Sequence, residues 1–218
     1  MNSINSITGT AGDDNLFGTV GNDRIRGLDG NDSIFGSEGV NTLLGGNGND
    51  EIFGGSQRDV IFGGNGNDTI RGAEGVNSLF GGSGDDLIDG GSQRDFISGG
   101  SGNDTLRGAE GNNTILGGSG NDIIFSGSGD DFINSGSGND TLWLGGGDDR
   151  IFLETGNGFD TVNNFQLGMT TFDVSNPNQV SIVDGANGAE ISSGGDLLAV
   201  VRFTQASTLN NNFDDVFV

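Results

Sequence analysis

From Gly9 to Phe152 the chain repeats every nine residues, sixteen times over, with no insertion or deletion. One block reads Gly63-Gly64-Asn65-Gly66-Asn67-Asp68-Thr69-Ile70-Arg71. The eighth residue is Ile or Leu in every block, from Leu16 and Ile25 through to Leu142 and Ile151. In a chain with 45 Gly and 31% hydrophobic residues, composition alone does not produce that phase. So much Gly, Asn, Asp and Ser would otherwise suggest a disordered linker. A linker, however, has no reason to place a branched aliphatic side chain at every ninth position.

The block matches G-G-x-G-x-D-x-U-x, a calcium-binding nonapeptide pattern of β-solenoids. Over roughly two thirds of its length the chain resembles the RTX, or haemolysin-type calcium-binding, family. The resemblance implies an all-β fold, a right-handed parallel β-roll. Residues one to six of a block tolerate the positive φ of tight turns. Residues seven to nine make a short strand, and alternation points residue eight inward. Two blocks, eighteen residues, then complete one turn, so sixteen blocks give eight turns. Two parallel sheets enclose a thin Ile/Leu core, with right-handed crossovers. The organisation expected is a lead-in over 1–8, a roll over 9–160 and a C-terminal β-structured cap over 161–218. A lead-in with only Ile4 and Ile7 as cover leaves the N-terminal roll edge open to a partner.

Odd and even blocks fall on opposite edges of such a roll. At position six the odd blocks carry Asp14, Asp32, Asp50, Asp68, Asp86, Asp104, Asp122 and Asp140. The even blocks carry Asp23, Asn41, Asp59, Asn77, Asp95, Asn113, Asp131 and Asp149. Calcium takes six to eight oxygens, about 2.3–2.6 Å away. The family resemblance implies that position-six Asp from two stacked loops, with carbonyls near positions one to four, supply them. Carried onto this chain, the odd edge offers each consecutive Asp pair, ending on Asp140/Asp160. The even edge offers one intact pair, Asp131/Asp149. That makes up to about nine calcium ions. The bland alternative is that each Asp only caps its turn. A column of like charges at strand spacing repels itself without a counter-ion, which favours the metal.

The middle of the even edge carries Glu38, Arg58, Glu74, Arg94 and Glu110, alternating in sign. This suggests an ion ladder, each Arg fork standing where calcium would sit; a solvated charged surface is the other reading. Position nine carries Phe17, Phe35 and Phe53 on one sheet and Leu44, Phe62 and Phe80 on the other. These ladders either stack along the sheet or offer a face for self-association.

With eight Lys and Arg against 31 Asp and Glu, the net charge is −23. A basic patch for nucleic acid or anionic lipid is excluded. The chain has no Cys and no His, so thiolate chemistry, the usual zinc ligand and a His-Glu-x-x-His protease site are all absent. No apolar run reaches the roughly 18 residues of a membrane span, and Met1-Asn2-Ser3-Ile4-Asn5 is unlike a cleavable signal.

Beyond Phe152, 155–160 reads as one more loop. Thr161-Val162, Thr171-Phe172, Val180 to Val183, Gly188 to Ser192, Leu197 to Phe203 and Asp215 to Val218 read as short strands. Asp214-Asp215-Val216-Phe217-Val218 is similar to the acidic-then-apolar tail of type I exporter substrates, and equally suits a final strand.

These features together suggest a secreted, extracellular, non-enzymatic protein folded by calcium. The alternatives are a C-terminal targeting or folding module of a larger secreted enzyme, or a surface, matrix or adhesion protein. An ice-binding solenoid needs a regular Thr array, and position seven of the odd blocks is too mixed for that.

Overall fold

The computed structural model describes residues 4–155, 158–175, 179–202 and 204–218. Residues 1–3 of the lead-in, part of the loop over 155–160 and the strand end at Phe203 lie outside these.

The nine-residue period becomes a parallel β-solenoid of two facing sheets. One has ten strands, running from β1 (Asn5–Thr8) and β3 (Asp23–Asp29) through every second strand to β17 (Asp149–Leu153) and β19 (Thr170–Val174). The other has twelve. It runs from β2 (Asn15–Phe17) and β4 (Ser33–Phe35) through every second strand to β16 (Thr141–Trp143) and β18 (Asp160–Asn163). It then continues into β22 (Asp196–Arg202), β21 (Gly188–Ser193) and β20 (Val180–Asp184).

Register follows the sequence phase. Ile25 lies over Leu43, and Ile34 over Ile52, so position eight stacks on position eight. Every member of that column from Ile25 to Ile151 is fully buried. Each such side chain contributes about 1.5–3 kcal/mol relative to exposure. The core is one side chain thick per sheet, and within the sixteen blocks Leu144 is the buried apolar side chain that adds to the position-eight column.

The roll goes one turn further than the strict repeat. Val162 pairs with Leu142 and Phe172 with Ile151, continuing both columns into a ninth turn. The link lengthens from 18 residues to 20 and 21 at these two steps, which takes them out of phase. Next, β22 adds in parallel to β18, and β21 and β20 follow antiparallel. Two short helices close the chain, α1 (Ala206–Asn211) and α2 (Phe213–Val216). The strand expected from Asp215 is therefore corrected: a helical turn runs to Val216, and Phe217 alone bridges to Phe172. Asp214 and Asp215 sit in the first turn of α2, where acidic side chains are favoured. The turn also brings Phe213 to 4.7 Å from Phe217, which packs 5.7 Å from Phe172 over the last rung of the core.

On the outer faces the aromatic ladder is a stack. Phe17, Phe35 and Phe53 lie 5.0 Å apart with nearly parallel rings, and Phe62 and Phe80 lie 4.8 Å apart. Among the described residues no helix is long and apolar enough to cross a membrane.

Candidate metal centre

The loops turn twice through left-handed backbone, at positions two and four. Gly46 has φ 128° and Gly48 has φ 119°. The turn brings the position-six side chain inside the edge. Asp32, Asp50, Asp68, Asp86, Asp104, Asp122 and Asp140 are buried, while Asp14 at the open end is half-buried.

One oxygen of each carboxylate is accounted for. The backbone N–H of Asp14 donates to Asp32 Oδ1, and so on from turn to turn until Asp122 donates to Asp140, at 2.7 to 2.9 Å. Each Asp thus ties its own loop to the loop before it. The other oxygen is not. Oδ2 of Asp32, Asp50, Asp68, Asp86, Asp104, Asp122 and Asp140 is buried with no hydrogen-bond partner. A buried, unpartnered carboxylate oxygen costs several kcal/mol by order of magnitude, about 1–3 or more.

The surroundings explain how that space stays open. A methyl group built on Gly45 would overlap both Asp50 Oδ2 and the carbonyl oxygen of Gly63 in the next turn. The same holds at Gly63, for Asp68 and Gly81, and at Gly81, for Asp86 and Gly99. At these three positions an orphaned carboxylate oxygen and a carbonyl oxygen from the neighbouring turn therefore face a gap that a Cβ would fill. All donors are hard oxygens, the set calcium prefers. No three acidic side chains converge on one point among the described residues, so carbonyls must complete any coordination shell.

Burial dominates the titration of these groups. It pushes Asp68, Asp86 and Asp122 up to about 7 and Asp50 to about 6, against the hydrogen bond from the preceding turn, with neighbouring Asp adding to the rise. Asp32, Asp104 and Asp140 are raised for the same first cause.

The ends of the column differ from its middle. Asp14 Oδ2 accepts the N–H of Thr10 at 2.5 Å and its hydroxyl at 3.0 Å. Asp160 is buried and raised to about 7, yet its Oδ2 accepts the Ser135 hydroxyl at 2.7 Å, and its Oδ1 accepts the N–H of Asp140 at 3.3 Å. Protein donors thus serve the terminal carboxylates.

On the even edge, the Asp131 N–H donates to Asp149 Oδ1 at 3.2 Å, and Asp131 Oδ2 is orphaned. Burial raises Asp131 to about 7 and Asp149 to about 6. Asp23 is held by the backbone and hydroxyl of Thr19. The expected Glu/Arg ladder does not form. Glu38, Arg58, Glu74, Arg94 and Glu110 are all exposed, and ion pairs form elsewhere, as at Arg71–Glu51 and Arg150–Asp173. Alternating sign places these charges on successive turns, but exposed side chains gain little by pairing.

Position five escaped the sequence reading. Asn31 Oδ1 accepts the N–H of Asn49, Asn49 that of Asn67, and Asn67 that of Asp85, at 2.8 to 2.9 Å. This ladder reaches forward while the position-six ladder reaches back. The near-unbroken Asn at position five of the odd blocks was the available signal.

The chain matches the family model of the RTX calcium-binding nonapeptide repeat at residues 8–43, 35–70, 44–79, 62–97, 71–106, 98–133 and 126–160. No curated protein sequence matches it. Among solved structures it is similar to the solution structure of the AlgE6R3 subunit from the Azotobacter vinelandii mannuronan C5-epimerase. The two are 20% identical, with a TM-score of 0.39, over 63% of this chain and 80% of that one.

Proposed function

The chain belongs to the RTX calcium-binding nonapeptide repeat family, and from that premise we propose that it is a secreted, extracellular, non-enzymatic β-roll folded by calcium held between stacked loops. The observation that carries this is the row of buried Oδ2 atoms without partners, which from Asp32 to Asp122 stand beside a carbonyl of the next turn. Asp32, Asp50, Asp68, Asp86, Asp104, Asp122 and Asp140 would hold ions along the odd edge, and Asp131 with Asp149 on the even edge. Asp14 and Asp160 are weaker members because Thr10 and Ser135 already donate to them. Calcium bound there supplies neutralising charge and a link between consecutive turns. Binding free energy then becomes folding free energy.

Without it, the thin core faces the full conformational entropy of a Gly-rich chain and a formal charge of −23. Such a chain stays threadable where calcium is scarce and compacts where it is plentiful, which suits passage through a type I exporter. Self-association would use the outermost ring of the Phe17–Phe35–Phe53 stack or the N-terminal roll edge.

The test is a calcium titration of the chelator-treated protein, followed by far-ultraviolet dichroism and light scattering. Chelator is expected to abolish most of the β-signal and millimolar calcium to restore it. Dichroism that is indifferent to chelator after prolonged dialysis would refute the reading.

A further inference from the structure

Along the even edge, position six alternates between Asn41, Asp59, Asn77, Asp95 and Asn113. Each Asn replaces Asp without altering the backbone ladder. Asn41 Oδ1 accepts the N–H of Asp23 at 2.9 Å, Asn77 Oδ1 that of Asp59 at 2.9 Å, and Asn113 Oδ1 that of Asp95 at 2.8 Å. These bonds settle which way each carboxamide faces, because the reverse orientation would set an NH2 against another donor.

The consequence is that Nδ2 stands where Oδ2 stands on the odd edge. A methyl built on Gly72 would meet Asn77 Nδ2 at 2.8 Å, just as one on Gly63 would meet Asp68 Oδ2. The carboxamide then donates inward. Asn41 Nδ2 reaches the carbonyl of Gly39 at 3.3 Å, Asn77 that of Gly75 at 3.3 Å, and Asn113 that of Gly111 at 3.0 Å. An N–H donor cannot ligate a cation, and here it occupies a loop carbonyl that a cation would need. Asp59 and Asp95 keep a buried Oδ2 without a partner, beside the carbonyls of Gly72 and Gly108, but each is a single carboxylate between two carboxamides, so no loop pair on this stretch supplies two carboxylates. Each shares its loop with an exposed cation, Arg58 or Arg94.

We propose that the even edge from Asp23 to Asn113 is closed to calcium, and that the carboxamides of Asn41, Asn77 and Asn113 hold its loops in register in place of the ion. The proposal rests on the calcium reading above and adds to it an asymmetry. One edge is welded by metal and the other is stitched by side-chain amides, so the stitched edge needs no calcium to keep its register.

The experiment compares the full chain with the variant Asn41→Asp/Asn77→Asp/Asn113→Asp, counting bound calcium by native mass spectrometry and titration calorimetry. Each substitution replaces an inward donor by a second carboxylate oxygen and keeps the Oδ1 acceptor. About six additional ions per chain are expected, one for each new pair of consecutive Asp on that edge, with a higher calcium midpoint because more sites must fill. An unchanged ion count, in a parent that folds on calcium, overturns the inference alone. A parent that takes no calcium takes down this inference and the reading beneath it. Should the triple variant fail to fold, Asn77→Asp alone decides, with about two additional ions expected, one where the new carboxylate pairs with Asp59 and one where it pairs with Asp95, and an unchanged count again overturning the proposal.

Discussion

Over the first thirteen blocks, position one is governed by space rather than by conformation. It is Gly in every block from Gly9 to Gly117, and Gly45 and Gly63 have no left-handed φ to justify the choice. What they lack is room, since a Cβ would run into the buried carboxylate and the next turn's carbonyl. Position two behaves differently. Its glycines are left-handed, Gly46 at φ 128° and Gly64 at 124°, yet Ala73 and Ala109 occupy the same place by shifting to 69° and 66°. A methyl can therefore be absorbed at position two by rotation, and at position one it displaces the groups that would hold the ion. Gly45→Ala is expected to raise the calcium midpoint several-fold and to destabilise the calcium-bound fold by about 1–3 kcal/mol, as overpacking does. Gly12→Ala, where a methyl would meet nothing within 4 Å, should stay within about 0.5 kcal/mol of the parent. Calcium titrations read by dichroism separate the two; equal midpoints would mean that position one is not part of the site.

At the level of the turn, each odd-edge loop is tied to the loop before it by position six and to the loop after it by position five. This shared use predicts coupling along the row. Asp86→Asn keeps the acceptor for the Asp68 N–H and removes only the orphaned carboxylate oxygen in mid-row. Asp149→Asn keeps the acceptor for the Asp131 N–H and removes one carboxylate oxygen beside Asp131, on an edge with a single intact pair. Solenoid stability sums unit and nearest-neighbour terms, so an interruption in the middle divides the array. Asp86→Asn should raise the calcium midpoint and flatten the transition more than Asp149→Asn does. Transitions of equal midpoint and steepness would show that each Asp acts alone. The turn is also the scale at which the sequence could be read and at which the reading stopped. The Ile/Leu column and the Asp column were visible because each holds a fixed place in a nine-residue period. Of the ninth turn, the loop over 155–160 and Asp160 were legible, but not that its strands continue both core columns, because the steps to Val162 and Phe172 break that period. The Glu/Arg ladder failed because a pattern of signs says which turn a charge is on, not whether an exposed side chain gains by leaving water. The role of Asn at position six was hidden for another reason: only the hydrogen bond from the neighbouring loop reveals which end of the carboxamide faces inward.

For the molecule as a whole, protons and calcium compete for the same buried oxygens. Without metal, burial raises Asp68, Asp86, Asp95, Asp122 and Asp131 to about 7 in the folded chain, against 3.8 for an exposed Asp. The sign follows from linkage. The folded state binds more protons than the unfolded one across this interval, so acid stabilises it. The stabilisation is absent above about 7, grows as the pH falls through that value, and is complete below 3.8. Acid also reduces the self-repulsion of a chain whose charge is −23 at neutrality. Two opposite pH dependences are therefore expected. In chelator, lowering the pH from 8 towards 5 should restore part of the β-signal with no metal present, and light scattering should confirm that the gain is intramolecular, since the isoelectric point lies near 4.1. In calcium, the same acidification should raise the midpoint of the folding transition, because each proton bound at a carboxylate must leave before that oxygen can ligate. Dichroism over a pH series, with and without chelator, measures both. A chelated chain that gains no structure on acidification would show that charge in the loops is not what keeps the metal-free roll open, and the cost would then lie in the entropy of its glycines.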